Sequence, residues 1–376
     1  MLETPSIFAP DHTICYGFYD AGPGLGGLTD QDQSYAYFTG SYADWMGDLA
    51  AADPHAANLP FNRFALPGAH DAGMNTMNTA RSLLDSAQAE ALLAAITLVF
   101  PPLGVIGAVL APHAIQNLAI TQKDSITDML NVGIRYFDFR PGYLYSALRD
   151  FSGALFHQHK FIPGMAYAQF LEEVLIWLNA HPFEVVVVNC ETSGFEDVSM
   201  APDAAQLAAA LDAARAATGI TSAMIADGTK SALEQSIAEL RAANCRLIFL
   251  DPVAETIGKY DSYSQAAYAT LTPAPIVAAL ARMANPPPDG TTYTVLQLQG
   301  TPTFLPAVAI GAVATTSDSS SPLMSVKANF DRATLGWASS GAAALSCDNL
   351  LVLLNDFADN AMVSTCIGIT RRRMGL

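Results

Sequence analysis

The sequence predicts a single α/β domain built around a parallel β-sheet, and three observations support this fold class. Short, continuously apolar runs alternate along the chain with helical stretches. Such runs are typical of parallel strands, which are buried on both faces. Hydrophobic residues make up 51% of the 376 residues and charged residues only 14%, so the chain can build a large core. It contains no internal repeat and no long linker that would mark a second domain.

The predicted elements begin after residues 1–60. That range is rich in Gly, Asp, Tyr and Pro and shows little periodicity, so we expect an irregular N-terminal segment packed on a domain formed by residues 61–376. The predicted strands of this domain are Arg63–Pro67, Gly133–Phe139, Ala154–His157, Val185–Cys190, Arg246–Leu250, Thr294–Leu298 and Leu350–Leu354. Apolar residues at helical spacing predict the helices Tyr167–Ala180, Ala204–Ala217 and Ser231–Ala243.

Seven or eight such strand–helix units fit either a (β/α) barrel or an open, doubly wound sheet, and composition does not separate the two. Neither G-x-G-x-x-G nor G-x-x-x-x-G-K-[ST] follows any of the predicted strands, which argues against a nucleotide-binding sheet. The formal net charge of −17 argues against a nucleic-acid partner, because nucleic-acid phosphates are bound mainly through Lys and Arg.

Polar, reactive side chains stand at the C-terminal ends of five predicted strands. In chain order they are His70 and Asp71, Asp138 and Arg140, His157 and His159, Glu191, and Asp356. Charged residues rarely occupy doubly buried strands without a partner or a function, and this end of a parallel barrel carries the active site. Singly, a His-Asp pair fits a turn and an Asp near an Arg fits a structural ion pair. Their recurrence at five strand ends indicates a functional site.

Four stretches that contain these residues follow one another in a recognisable order: Leu66–Gly73, Thr121–Arg140, Leu155–Glu191 and Leu351–Phe357. In them the chain resembles the catalytic X region of phosphatidylinositol-specific phospholipase C enzymes, within the phospholipase C-like phosphodiesterase superfamily. The resemblance implies a TIM-type (β/α) barrel, distorted or incompletely closed. The sequence itself predicts an apolar helical insertion at about 84–119, after the first strand. The resemblance also implies a phosphodiesterase, a lyase or hydrolase of lipid metabolism.

The resemblance assigns the proton transfers to two histidines. A phosphodiester attacked by a neighbouring hydroxyl needs a base for that hydroxyl and an acid for the leaving alkoxide. His70 would be the base, with Asp356 orienting its ring. His157 would be the acid, assisted by Asp71. His159 is the alternative acid if the register of this segment differs, and is otherwise a substrate contact.

The resemblance also assigns a residue that carries positive charge to the phosphate, and it leaves open whether the site binds a metal ion. Arg140 would stabilise charge on the phosphoryl oxygens, with Asp138 positioning both Arg140 and His157. Glu191 lies where calcium-dependent relatives have an acidic ligand and metal-independent bacterial relatives have a lysine. Asp71, Asp138 and Glu191 could therefore form part of an oxygen-only Ca²⁺ site. Because Arg140 would repel the ion, we expect no metal and no other cofactor, with Ca²⁺ as the alternative.

The substrate is expected to be a small-molecule or lipid phosphodiester of the phosphatidylinositol kind. Its headgroup contacts are expected from polar residues near strand ends: His159, Glu191, Asp251 and Gln299. Two alternatives stay open. One is a metal-dependent hydrolase of the glycerophosphodiester or sphingomyelinase-D type, and the other is a barrel that binds phosphate without catalysis.

Residues 91–112 form an uncharged apolar stretch that is long enough to span a membrane. It lies between the first two strands, which must pair on one side of any membrane, and Pro101-Pro102 interrupts its helix. We therefore expect a helical hairpin beside the active-site mouth. It is either a lid or wedge that takes up the lipid portion of the substrate or contacts a membrane surface transiently, or an apolar cap packed on the barrel or on a partner subunit. The N-terminus has no signal-peptide pattern, so the expected location is cytoplasmic or peripheral. The oligomeric state is left open.

Overall fold

The computed structural model describes residues 2–5, 13–19, 33–39, 41–99, 115, 117–192, 195, 197–220, 229–250, 258–263, 265–304 and 321–376. The strands are β1 (Leu2–Pro5), β2 (Thr13–Tyr19), β3 (Gln33–Thr39), β4 (Ala65–Ala69), β5 (Tyr136–Phe139), β6 (Pro141–Tyr143), β7 (Leu155–His159), β8 (Ile162–Ala166), β9 (Val186–Cys190), β10 (Leu247–Leu250), β11 (Gly258–Asp261), β12 (Thr291–Gln297) and β13 (Leu350–Asn355). The α-helices include α1 (Trp45–Ala52), α2 (Asn78–Leu84), α3 (Ala89–Val99), α4 (Ile126–Val132), α5 (Tyr167–Ala180), α6 (Ala204–Thr218), α7 (Thr229–Glu234), α8 (Ile237–Ala242), α9 (Gln265–Tyr268), α10 (Ala274–Ala281), α11 (Pro322–Gly341) and α12 (Asn360–Met374).

Seven strands form the main sheet, in the spatial order β10-β9-β5-β4-β13-β12-β11. Every neighbouring pair is parallel. The first and last of these strands in the sequence, β4 and β13, lie side by side at the centre of the sheet. This is the adjacency that a barrel requires and that the assignment of His70 and Asp356 presupposes.

The sheet curls into a half-barrel. The hydroxyl of Tyr293 on β12 donates to Oδ1 of Asn189 on β9 at 3.3 Å, although three strands separate β12 from β9. Only a curled sheet brings those two strands face to face. The described strands β10 and β11 lie at the two edges of this sheet and do not pair with each other, so the barrel is not closed between them. The predicted TIM-type barrel, incompletely closed, is therefore confirmed.

The helices follow the predicted pattern with one difference. Helix α5 has the predicted bounds, and α6 runs one residue further than predicted. The predicted helix Ser231–Ala243 is two helices, α7 and α8, because Ser236 starts a new one. The backbone N–H of Glu239 donates to the Ser236 hydroxyl, and the Glu239 carboxylate accepts from the Ser236 N–H at 2.7 Å. Such a capping box fixes a helix start that apolar spacing does not reveal.

The predicted strand Ala154–His157 does not belong to the main sheet, and this part of the prediction was wrong. Strand β7 pairs antiparallel with β6 and β8 in a small side sheet, and it continues to His159. Lys160, at φ 62°, then turns the chain into β8. A short apolar run predicts a strand, but the strand's partners depend on a turn that the run does not encode.

The N-terminal range contains regular structure that the sequence analysis missed. Strands β1, β2 and β3 form an antiparallel sheet, and α1 follows them. Strand β3 lies beside α11. The Gly- and Asp-rich stretches between these strands dominate the composition and conceal short β-forming runs such as Thr13–Tyr19.

The apolar insertion is described in part. Its first helix, α3, lies within it, whereas residues 100–114 lie outside the described residues, so the predicted hairpin and its membrane contact stay predictions. Among the helices that the structure describes, none combines the length and apolar character needed to cross a membrane.

Candidate active site

The predicted reactive residues gather at the C-terminal edge of the half-barrel. His70 and Asp71 follow β4, Asp138 lies in β5 with Arg140 directly after it, and Asp356 follows β13. These three strands are neighbours in the order β5-β4-β13. Parallel pairing therefore brings side chains together that lie up to 286 residues apart in the sequence.

His70 and Asp356 form a hydrogen-bonded pair. The Nδ1 atom of His70 lies 2.8 Å from Oδ1 of Asp356, and both residues are largely buried. Burial alone would lower the pKa of His70, but the charges of Asp71 and Asp356 outweigh it and raise the pKa to about 9. Because Nδ1 faces Asp356, the Nε2 atom points toward Arg140, whose Nη2 is 3.4 Å away. His70 is thus oriented to exchange a proton through Nε2.

Arg140 lies between two carboxylates. Its Nε is 3.0 Å from Oδ1 of Asp71, and its Nη2 is 3.1 Å from Oδ2 of Asp138. The other oxygen of Asp138 accepts from Nδ2 of Asn189 at 3.3 Å. The arginine side chain is still 28% exposed. A fixed positive charge therefore stands beside His70 with one face open to an anion.

His157 lies behind Asp71, completely buried, with Nε2 3.3 Å from Oδ1 of Asp71. The backbone N–H of Arg140 donates to Nδ1 of His157 at 3.1 Å. Burial lowers the pKa of His157 even though Asp71 opposes the shift, so the neutral ring predominates. Because Nδ1 accepts a hydrogen bond, the proton of the neutral ring is on Nε2, the ring nitrogen that lies near Asp71.

Two details of the assignment differ in the structure. His157 was expected at the C-terminal end of its strand, but β7 continues to His159, so His157 lies inside the strand and is buried behind Asp71. Asp138 was expected to position both Arg140 and His157. Among the described contacts it holds Arg140, whereas the backbone N–H of Arg140 holds His157.

Several buried polar atoms at this site lack an aligned hydrogen bond. They are Oδ1 of Asp71, Nε of Arg140, Nε2 of His157 and Nδ1 of His159. Nε of Arg140 and Nε2 of His157 each lie within ion-pair distance of Oδ1 of Asp71, at 3.0 and 3.3 Å. Catalytic hydrogen bonds often become well aligned only when substrate binds, so this loose geometry is compatible with a catalytic cluster.

His159 faces the site more openly than His157. Its side chain is 25% exposed, and Nε2 is 3.9 Å from Oδ2 of Asp71. Burial, joined by the nearby positive charges, lowers its pKa to about 4 against the attraction of Asp71. His159 is therefore neutral at physiological pH, which suits a substrate contact.

A cavity of about 270 Å³ opens beside these groups. The predicted residues His70, Asp71, Arg140 and His159 line it. The opposite wall comes from β11, β12 and the segments that follow them: Lys259, Asp261, Tyr263, Gln297 and Thr301. The sequence analysis missed this wall. Strand β11 is four residues long and mostly polar, so it gives no apolar signal.

The polar residues of that wall contact one another. Nζ of Lys259 lies 3.6 Å from Oε2 of Glu191 and 3.4 Å from Oδ2 of Asp261. Asp261 also accepts two contacts from Nε2 of Gln297, at 3.1 and 3.0 Å. Gln299 donates to Gln297 at 2.7 Å and is buried. The wall is a connected set of donors and acceptors.

The remaining headgroup predictions have different outcomes. Glu191 and Gln299 are not among the residues that line the cavity, and each reaches it through a neighbour, Lys259 and Gln297 respectively. Asp251 lies outside the described residues.

A metal was the alternative expectation. His70, Asp71 and Asp138 place possible ligand atoms within 4.8 Å of one another, and in the described part of the chain Glu191 is not part of this group. The guanidinium of Arg140 is paired with both carboxylates. Ca²⁺ prefers six to eight oxygen ligands, and two carboxylates already paired with an arginine, beside an imidazole, do not fit that preference.

Comparisons with known proteins bear on this arrangement. No protein-family model matches the chain. It is 27% identical over 151 residues to the PI-PLC X domain-containing protein 1 of Mus musculus. The aligned region covers 40% of the chain and 39% of that protein. It is 29% identical over 148 residues to the PI-PLC X domain-containing protein 2 of Homo sapiens. Here the aligned region covers 39% of the chain and 42% of that protein. The matched region thus spans less than half the length of either relative.

The fold has solved counterparts. A mutant of the phosphatidylinositol-specific phospholipase C from Staphylococcus aureus superposes with a TM-score of 0.51 and 12% identity, covering 88% of the chain and 98% of that structure. At this identity the likeness concerns the fold. Sequence similarity to PI-PLC X domain-containing proteins and a fold like that of a bacterial enzyme together confirm the predicted resemblance to the phosphatidylinositol-specific phospholipase C family.

Proposed function

We propose that this protein is a phosphodiesterase that cleaves a phosphatidylinositol-type lipid by attack of a headgroup hydroxyl on the adjacent phosphate. The observation that carries the proposal is the convergence of His70, Asp71 and Arg140 on one wall of a cavity. His70 is held by Asp356 at 2.8 Å, and Asp71 is backed by His157 at 3.3 Å. His70 provides the base, Arg140 the fixed positive charge, and Asp71 the route by which the proton returns to the leaving oxygen.

The base step uses His70. In its deprotonated form, Nε2 removes the proton of the attacking hydroxyl, and Asp356 stabilises the imidazolium that results. The hydroxyl oxygen forms a bond to phosphorus as the charge on the phosphoryl oxygens grows. The open face of Arg140 meets that charge, and its other side is fixed by Asp71 and Asp138.

The acid step uses Asp71 and His157 together. The bond from phosphorus to the lipid alcohol breaks, and the departing oxygen needs a proton. Asp71 lines the cavity, and its Oδ2 lies 3.6 Å from Nε2 of His70. Asp71 therefore carries to the leaving oxygen the proton that His70 took from the hydroxyl, which returns both residues to their starting states. His157 does not line the cavity and keeps its own proton, and its Nε2 lies 3.3 Å from Asp71, which it holds in place. The products are a cyclic phosphodiester of the headgroup and the free lipid alcohol.

The cavity wall favours a headgroup rich in hydroxyls and without additional phosphates. Asp261 and Gln297 present acceptors and donors at hydrogen-bonding spacing, which suits neighbouring hydroxyls. The positive charge of Lys259 is shared between Glu191 and Asp261. An extra phosphate on the headgroup would meet these carboxylates, so an unphosphorylated polyol is the better fit.

Metal removal tests this proposal against the hydrolases that need metal ligands. Excess EDTA is expected to leave the rate of phosphatidylinositol cleavage unchanged, because Arg140 supplies the positive charge that a cation would otherwise provide. The measurement is the release of water-soluble phosphate ester from mixed micelles, with and without chelator. Loss of activity in EDTA and its recovery on adding Ca²⁺ would reject the proposal in favour of a metal-dependent hydrolase. Phosphate binding without turnover of any phosphodiester would leave only a binding barrel.

A further inference from the structure

The dipeptide Thr121-Gln122 lies between the two strand ends that carry His70 and Asp356. Gln122 is 1% exposed. Its Nε2 donates to the carbonyl oxygen of His70 at 2.8 Å and to that of Asn355 at 3.1 Å. Its Oε1 accepts from the backbone N–H of Ala358 at 3.0 Å. One amide side chain thus bonds to the backbone directly after β4 and to the backbone on both sides of Asp356.

Thr121 makes the same kind of connection one residue earlier. Its hydroxyl donates to the carbonyl oxygen of Asp71 at 2.9 Å. Its own carbonyl accepts from the backbone N–H of Phe357 at 2.6 Å. Its backbone N–H is anchored on the carbonyl of Met74 at 3.1 Å. Both residues of the dipeptide therefore join the turn after β4 to the turn after β13.

The two turns need such support, because each contains a strained residue. Asp71 has φ 43° and Phe357 has φ 48°, in the left-handed region that favours glycine. Residues in this region cost free energy and persist where surrounding contacts fix them, and they are common at functional sites. Thr121 forms hydrogen bonds with the backbone of both Asp71 and Phe357. His70 and Asp356 immediately precede these two residues in the chain.

We propose that Thr121 and Gln122 are positioning residues, which align His70 with Asp356 by clamping the backbone of both turns. The inference rests on the proposed function, because the alignment matters for catalysis only if His70 is the base and Asp356 orients it. The clamp itself touches neither the cavity nor the reacting atoms. It acts through the 2.8 Å hydrogen bond between the two side chains.

The test is to remove the clamp's hydrogen bonds and observe the His70–Asp356 hydrogen bond directly. Gln122→Met keeps the length of the side chain and abolishes its donor and acceptor, and Thr121→Val removes the hydroxyl alone. The readout is the downfield proton NMR signal of the Nδ1–H of His70, assigned by its loss in His70→Ala. Both variants are expected to lose or broaden this signal, and to lower kcat by about tenfold or more with little change in KM, as expected of misplaced catalytic groups.

Thr370→Val is the matched control. The Thr370 hydroxyl is also buried and bonds to the backbone of Ala65, at the opposite end of β4. Its loss should lower stability and keep the Nδ1 signal. If Thr121→Val and Gln122→Met keep the signal and the kcat of the parent protein, the clamp is only structural and the inference is wrong. Should Gln122→Met not fold, Thr121→Val alone decides. The NMR measurement needs no substrate, so it gives a result even if no phosphodiester is cleaved.

Discussion

Replacing His70 with alanine is expected to lower kcat by about 10²–10⁴-fold while the fold is retained. His70 supplies the only base in the proposed mechanism, and its ring is fixed at 2.8 Å from Asp356 with Nε2 toward Arg140. The ring lines the cavity, so its removal should leave the apolar core intact. The measurement is the initial rate of lipid cleavage, with circular dichroism to show that the variant is folded.

His181→Ala is the matched control for this replacement. Nδ1 of His181 lies 2.9 Å from Oδ1 of Asp44, so it forms a second His–Asp pair, but on the surface and away from the cavity. Its loss should leave the rate unchanged. A His70→Ala variant that keeps near-normal turnover would remove His70 from the mechanism.

The pH dependence of kcat/KM follows from the same residue. The carboxylates of Asp71 and Asp356 raise the pKa of His70 to about 9, so in the free enzyme the ring is mostly protonated at neutral pH. Only the deprotonated ring can act as base. We therefore expect kcat/KM to rise with pH up to about 9 and to fall about tenfold for each unit below it. In Asp356→Asn the rise of kcat/KM should occur at lower pH, because only the carboxylate of Asp71 is left to raise the pKa of His70.

Replacing Asp71 with asparagine is expected to have the second large effect, and one that depends on the leaving group. Asp71 lines the cavity and lies 3.6 Å from Nε2 of His70, so Asp71→Asn interrupts the return of the proton from His70 to the departing oxygen. On a lipid substrate, whose alkoxide leaves poorly, kcat should fall by about 10²–10⁴-fold. On an aryl phosphodiester the phenolate leaves without a proton, so the loss should be at least about tenfold smaller.

His157→Ala should show the same dependence on the leaving group, and His70→Ala should not, because the base is needed by either substrate. Kinetics on the two substrates therefore separate acid from base within one set of variants. Equal losses on both substrates for Asp71→Asn would mean that Asp71 only fixes Arg140, which it contacts at 3.0 Å.

The pairing of His70 with Asp356 was predicted through the family resemblance, and the barrel topology that the resemblance implies explains it. Parallel strands place their C-terminal residues at one edge, and closure of a barrel makes its first and last strands neighbours. The ladder between β4 and β13 shows both features. The same reasoning brought Arg140 and Asp71 to the site, because each follows a strand whose apolar character is plain in the sequence.

The parts that could not be predicted depend on turns and on polar strands. The first residues of β7 are apolar, as in a barrel strand, but the left-handed turn at Lys160 folds β7 into a side sheet, and so His157 lies behind Asp71. The cavity wall at Asp261 belongs to a short polar strand without an apolar signal. Gln122 bonds to backbone atoms more than 200 residues away, and no spacing in the sequence records such a contact.

The most direct test of the proposed chemistry is to identify the first phosphorus-containing product by ³¹P NMR. With phosphatidylinositol as substrate and no added metal, the first product should be a cyclic phosphodiester of the headgroup. Phosphatidylethanolamine has no hydroxyl beside its phosphate and should not be cleaved. If a phosphomonoester forms directly, or phosphatidylethanolamine is cleaved as fast as phosphatidylinositol, the attack of a headgroup hydroxyl directed by His70 is contradicted.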